Sequence, residues 1–246
     1  MRWYIINVKK HKMLIAFVSV ILVFVLSVSV TVSAVERIHR SELFISASTE
    51  INNEKIIVID PGHGGEDCGA VGVDGTLEKD IALSLAFEVG KMLEERGYAI
   101  VYTRTTDTLL YKPEENIKGI RKISDLKNRC IVGKSYPDSV FVSLHLNSFA
   151  QEKYSGLQVY YSENNEESRK IADSVQNRVR QDVQKTNNRV IKAGKDIYIL
   201  ENLDNPAILI ECGFLSNKEE CKKLSEKEYQ KQLSFSIVCG IIEAIE

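Results

Sequence analysis

Four side chains in this sequence have the type and placement to do chemistry. His63 follows a short apolar run in "IIVIDPGHGG", and His145 ends another in "SVFVSLHLNS". Glu211 ends a third in "AILIECGF", and Glu78 falls in "GTLEKD", at the start of a helical stretch after the glycine corner. Two imidazoles and one carboxylate are a common catalytic zinc set, with three protein ligands and a fourth position left for water. No thiolate and no all-oxygen shell is needed for that ion. Zinc brings the pKa of a bound water to about 7. A second carboxylate, free of the metal, is then required to take the water's proton and pass it to a leaving amine. Glu211 is placed for that role, with His63, Glu78 and His145 as the ligand set.

Each residue also has a plainer reading. His63 can be a histidine on a tight turn, and His145 a core histidine with its hydrogen bonds satisfied. Glu78 can simply complement a helix dipole, worth about 0.3–1 kcal/mol. A buried Glu211 is costly unless paired, and Arg104 or Arg129 could pair with it. Cys68 and Cys212 neighbour site residues, so a thiolate ligand or nucleophile is a further alternative. A Cys–His mechanism would have to borrow one of the ligand histidines as its base, because the other two, His11 and His39, precede the domain.

The elements that must position these groups follow from the apolar pattern. Short runs read as strands at "KIIVID", "AIVYT", "SVFVSLH", "GLQVYY", "DIYIL" and "AILIECGF". Between them, 77–96 spaces Ile81, Leu85, Val89 and Met92 at helical intervals and stops at Gly97. Residues 166–185 carry Ile171, Val175 and Val179 on one face, and the last segment repeats the pattern with Leu233, Ile237, Ile241 and Ile245. Strands alternating with helices imply an α/β domain with a largely parallel sheet. Continuously apolar strands imply helices on both faces, and sites in such sheets form at the carboxyl ends of the strands.

The chain has 246 residues and a net charge of −2, which argues against nucleic acid as a partner. The stretch Met13 to Val35 is free of charge and follows Lys9, Lys10 and Lys12. It is long enough to cross a bilayer core of about 30 Å, and the upstream cations favour a cytoplasmic amino terminus. "VSA" at 32–34 also fits a signal-peptidase site. The length of the apolar core favours an uncleaved anchor over a cleaved signal, and either one exports the rest of the chain. Residues 1–36 are thus a signal peptide or membrane anchor, 37–54 a polar linker, and 55–246 the catalytic domain. Five cysteines without CxxC spacing make a disulfide framework or zinc knuckle unsupported, and Cys239 reads as a small buried hydrophobe.

Taken in order, "IDPGHGGEDCGA", "LEKDIAL", "YTRTTD", "FVSLHLNS" and "ILIECGFLSN" resemble the motifs of the zinc-dependent N-acetylmuramoyl-L-alanine amidases of the family-3 type. The resemblance runs from about Lys55 to the end of the sequence. It implies a single α/β domain with a twisted six-stranded sheet. It also implies one zinc ion on His63, Glu78 and His145, and Glu211 as catalytic base. The implied reaction is hydrolysis of the amide between the lactyl group of N-acetylmuramic acid and L-alanine in peptidoglycan. One membrane-directed segment, a short linker and no wall-binding repeats make the layout similar to the germination-specific amidases. Those strip stem peptides in the spore cortex so that muramic-δ-lactam forms, and some are served by a lipoprotein partner. Other zinc-dependent wall peptidases, such as a carboxypeptidase, and an inactive wall-binding scaffold remain the alternatives. Leu146, where alanine is more usual in the family, implies a tighter pocket floor, and 107–118 is expected to be a loop on the substrate side.

Overall fold

The protein is described here by a computed structural model, in which residues 55–246, apart from 112 and 118, can be described. The apolar segment 13–35 and the linker 37–54 lie outside the described residues. Among the described residues no helix is long and apolar enough to cross a membrane.

The elements run in the order β1 (Ile56–Pro61), α1 (Glu78–Glu94), β2 (Ala99–Tyr102), α2 (Arg121–Lys134), β3 (Val140–Asn147), β4 (Gln158–Tyr161), α3 (Glu166–Asp182), β5 (Lys192–Ala193), α4 (Tyr198–Asn202), β6 (Ala207–Phe214), α5 (Lys218–Ser225) and α6 (Lys227–Ile245). One sheet of six strands has the spatial order β2-β1-β3-β6-β4-β5. Strands β2, β1, β3 and β6 are mutually parallel, while β4 runs antiparallel to β6 and parallel to β5. The single α/β domain with a mostly parallel six-stranded sheet is therefore as expected.

The continuously apolar strands are explained by what covers each face. Ile57, Ile59, Val142, Leu144, Ile208 and Ile210 share one core with the apolar stripes of α1, α3 and α6. Val58, Phe141, Ala207 and Leu209 point the other way and pack against α2 and α4. Each fully buried aliphatic side chain of this kind contributes about 1.5–3 kcal/mol.

Two expectations are corrected. "DIYIL" is not a strand: its last three residues open the short helix α4, and the edge strand beyond β4 is the two-residue β5. Ile199 and Leu200 are buried there against the sheet, and a short apolar run has the same appearance in a buried strand and a buried helix. Cys239 is only half-buried on α6, not a core residue.

Helix α2 was invisible to periodicity because its pattern is inverted. It buries Ser124, Asp125, Arg129 and Cys130, while Ile123 and Ile131 are exposed.

Candidate active site

The corner after β1 is built from charge rather than from turn propensity alone. Asp60, the fifth residue of β1, is fully buried and accepts hydrogen bonds from Thr103 (2.6 Å), Ser143 (2.7 Å) and Arg129 (2.7 Å). Arg129 also donates to the carbonyls of Pro61 and His63, both at 2.7 Å, and pairs with Asp125 at 2.7 Å. Arg104 holds the carbonyls of Pro61 (3.0 Å) and Gly62 (2.8 Å). Two arginines thus fix three successive carbonyls of the corner. Burial opposes the Asp60 charge, but Arg129 and the two hydroxyls outweigh it and hold the carboxyl below its ordinary range. Neither arginine serves Glu211, so the pairing suggested by sequence does not occur.

This clamp sets His63 in a left-handed backbone conformation (φ 58°), uncommon for a non-glycine residue. Its Nδ1 lies 3.0 Å from Asp67 Oδ2, which turns Nε2 towards Glu78 Oε1 at 3.1 Å. Burial opposes protonation of His63, yet Asp67 and Glu78 overrule it and raise its pKa to about 9.

Glu78 is the first residue of α1. Leu77 offers no side-chain cap, and the free N–H groups of Glu78 and Lys79 are taken by the carbonyls of Ala70 and Cys68. The glycine-rich loop is therefore joined to the helix start. Ala70 N–H donates to Glu78 Oε2 (2.7 Å) and Leu146 N–H to Oε1 (2.9 Å). His145 Nδ1 lies 2.9 Å from the same Oε1. Burial raises the Glu78 carboxyl, but the two histidines prevail and hold it well below the usual carboxylate range.

The glycines of the corner are explained by these rings. A Cβ on Gly62 would sit 2.4 Å from the His145 ring, and one on Gly69 would sit 2.5 Å from Glu78 Oε2. The rings of His63 and His145 stand edge to face with centroids 4.8 Å apart. One ligand atom from each of His63, Glu78 and His145 falls within a 4.8 Å group, a set able to hold a divalent cation.

Glu211 reaches the same edge on β6 as the parallel register partner of His145. Both lie inside their strands rather than at the ends, and the ladder shifts register just beyond them. Oε2 of Glu211 is buried without a hydrogen-bond partner. Burial raises its pKa to about 7; the His145 charge opposes that rise and the Glu78 charge adds to it. A carboxyl poised near neutrality can both accept and return a proton.

The remaining sequence candidates are placed elsewhere. Cys212 is fully buried in the core, its thiol pushed well up by burial, so it is neither ligand nor nucleophile. The Cys68 sulfur lies 3.4 Å from the carbonyl of Gly69 and takes no part in the cation-binding group. Leu146 is buried in the core that the sheet shares with α1. Sequence reading missed Asp67, Asp60 and the structural use of Arg104 and Arg129. The four-residue spacing of His63 and Asp67 in "HGGED" was the available signal for the first.

A family profile described as N-acetylmuramoyl-L-alanine amidase matches residues 57–243. The chain belongs to this family. It is a hydrolase of the bond between N-acetylmuramoyl and L-alanine in peptidoglycan. It is 40% identical over 190 residues to the germination-specific N-acetylmuramoyl-L-alanine amidase of Bacillus subtilis, covering 76% of this chain and 78% of that one. The structure of the CwlD amidase from Clostridioides difficile, solved in complex with the GerS lipoprotein, aligns with a TM-score of 0.75 and 39% identity over 78% of this chain and 98% of that one. The amidase AmiC2 of Nostoc punctiforme aligns at 0.66 with 32% identity, covering 78% and 97%.

Proposed function

We propose that this amidase works outside the cytoplasmic membrane on spore cortex peptidoglycan. His63, Glu78 and His145 hold one zinc ion, and Glu211 moves the proton. The reading is carried by one arrangement: three donor atoms gathered on one sheet edge with a partnerless, buried carboxylate oxygen on the neighbouring strand. Two imidazole nitrogens and a carboxylate oxygen suit zinc. Bound there, zinc supplies Lewis acidity and an acidified water.

The chain's own residues do the rest. Asp67 fixes the tautomer and direction of His63, the usual work of a carboxylate behind a ligand histidine. The two main-chain N–H groups that donate to Glu78 keep that carboxylate aimed. Glu211 accepts the proton of the attacking water and returns it to the alanine nitrogen as the amide C–N bond breaks. Its poorly solvated position supplies the basicity for the first step and the acidity for the second.

The cortex assignment draws on the likeness to the germination-specific amidase. A lipoprotein partner is proposed from the CwlD complex, and export by the leader from the apolar segment 13–35.

Metal analysis and muropeptide digestion of the purified full chain test the reading together. The expected result is one zinc per chain and release of a peptide with a free L-alanine amino terminus. Release of carboxyl-terminal D-alanine would make it a carboxypeptidase, and no metal with no product would make it a scaffold.

A further inference from the structure

A cavity of about 790 Å³, lined by none of His63, Glu78, His145 and Glu211, is not used by the chemistry above. It is lined by the loop before β4, the turn after α3 and the first turns of α5. Four cations face it: Lys153, Lys185, Arg189 and Lys223. None of the four makes a salt bridge within 4.0 Å among the described residues, although the charges of Arg189 and Lys223 act on Glu220. Two acids also line it. Glu220 has both oxygens engaged by the N–H groups of Gly156 (2.9 and 3.1 Å) and Phe214 (2.8 Å), which leaves exposed Glu219 as the one uncommitted carboxylate in the lining.

Arg189 is held as a rigid cation. Its guanidinium carbon lies 4.4 Å from the centroid of the Phe214 ring and 6.0 Å from that of Tyr154. Its Nε donates to the Ser155 carbonyl (2.8 Å) and Nη1 to Gln158 Oε1 (3.3 Å). Stacking of this kind preorganises the fork for a carboxylate. Gln158 is the cross-strand partner of Glu211, so Arg189 is tied through the Gln158 side chain to the strand next to the proton-transfer residue.

Along this edge the order is fixed by the sheet: His63 after β1, His145 on β3, Glu211 on β6, then Gln158 on β4, to whose side chain Arg189, from the segment between α3 and β5, is bonded. The carbonyl side of the scissile amide belongs with the His63 cluster, and its nitrogen with Glu211. Everything beyond that nitrogen is peptide. The glycan side offers hydroxyl and acetamido groups, whereas the stem peptide carries free carboxylates.

We infer that this groove is the peptide subsite, in which Arg189, supported by Lys153, Lys185 and Lys223, binds a carboxylate of the stem peptide. The inference rests on the amidase reading and makes Arg189 a specificity-determining residue, not a catalytic one.

The test uses the full chain and two synthetic probes: an acidic stem tetrapeptide with amino-terminal L-alanine, and the same peptide with its carboxyls amidated. Titration calorimetry on wild type is expected to show preference for the acidic probe. Arg189→Met keeps the apolar stem on Phe214 and removes the charge. It is expected to weaken the acidic probe by about 10- to 100-fold, the loss of one charge-assisted hydrogen bond set, and to leave the amidated probe unchanged. On muropeptide substrate KM should rise by a similar factor with kcat held. Lys223→Ala should show the same pattern, more weakly. Unchanged affinity in both variants, or equal losses for both probes, would overturn the subsite. A wild type that releases no alanine-terminated peptide would instead overturn the amidase reading, so the two failures are distinguishable.

Discussion

His145 and Glu211 occupy the same register on the adjacent parallel strands β3 and β6. Paired positions on neighbouring strands face the same side of a sheet with their Cβ atoms about 5 Å apart. The candidate ligand and the candidate base are therefore held at fixed separation by main-chain hydrogen bonds, not by a loop. Replacing Glu211 should leave the three donor residues undisturbed. Glu211→Gln is expected to retain zinc by metal analysis while kcat falls by about 10²- to 10⁴-fold, the usual worth of an acid–base group.

The same carboxyl carries a pH signature in stability. Its folded pKa is raised by burial to about 7 from an ordinary 4.5. A raised carboxyl leaves stability intact below the unfolded value and removes it as pH climbs through the folded one. In chelator-treated protein Glu211→Gln should therefore raise Tm at pH 8 by more than at pH 5, by roughly 1–3 kcal/mol in equivalent stability. Equal gains at both pH values would contradict the burial argument.

Gly62 tests the packing of the corner. A Cβ there meets Cε1 and Nε2 of His145 at 2.4 Å and Nδ1 at 2.6 Å, so the ring must move. Gly62→Ala should cost about 1–3 kcal/mol of stability and lower zinc affinity, both readable from thermal melts with and without metal.

Asp67→Ala removes the carboxylate that orients His63 at 3.0 Å. Outer partners of ligand histidines are typically worth 10- to 100-fold in metal affinity. Competition against a fluorescent chelator should show that loss with little change in the melting profile, since Asp67 is partly exposed.

Arg129 is 1% exposed and bridges Asp60, Asp125 and two corner carbonyls. Arg129→Met leaves buried Asp60 without its cation and should cost about 3–5 kcal/mol. Asp60 is held below its ordinary value against the pull of burial. Its contribution is present above that value and lost as pH falls through it. The wild type should therefore lose stability below about pH 4, and the variant should show a weaker slope there in urea titrations.

How far the sequence could be read follows from which forces left a pattern. Helices α1, α3 and α6 bury apolar stripes, so their spacing was visible. The candidate site residues were legible because His145 and Glu211 break apolar runs and His63 follows one across the glycine corner. Helix α2 left no such trace: the face it buries carries Asp125 and Arg129, and its exposed positions include Ile123 and Ile131. The supporting charges were illegible for a related reason. Arg129 and Asp60 lie 69 positions apart in the chain, and only the parallel pairing of β1 with β3 and the packing of α2 bring them together.

The inverted helix α2 also limits how this chain can change in length. Asp125 and Arg129 face the corner because they are one helical turn apart. Inserting or deleting a single residue between them would rotate everything downstream by about 100°. That would turn the guanidinium away from Asp60 and the corner carbonyls and bring Asn128 or Cys130 into its place. Substitutions on the outer face of α2 are cheap, but its phase is locked, so lineages descended from this sequence can repaint that helix and cannot lengthen it there.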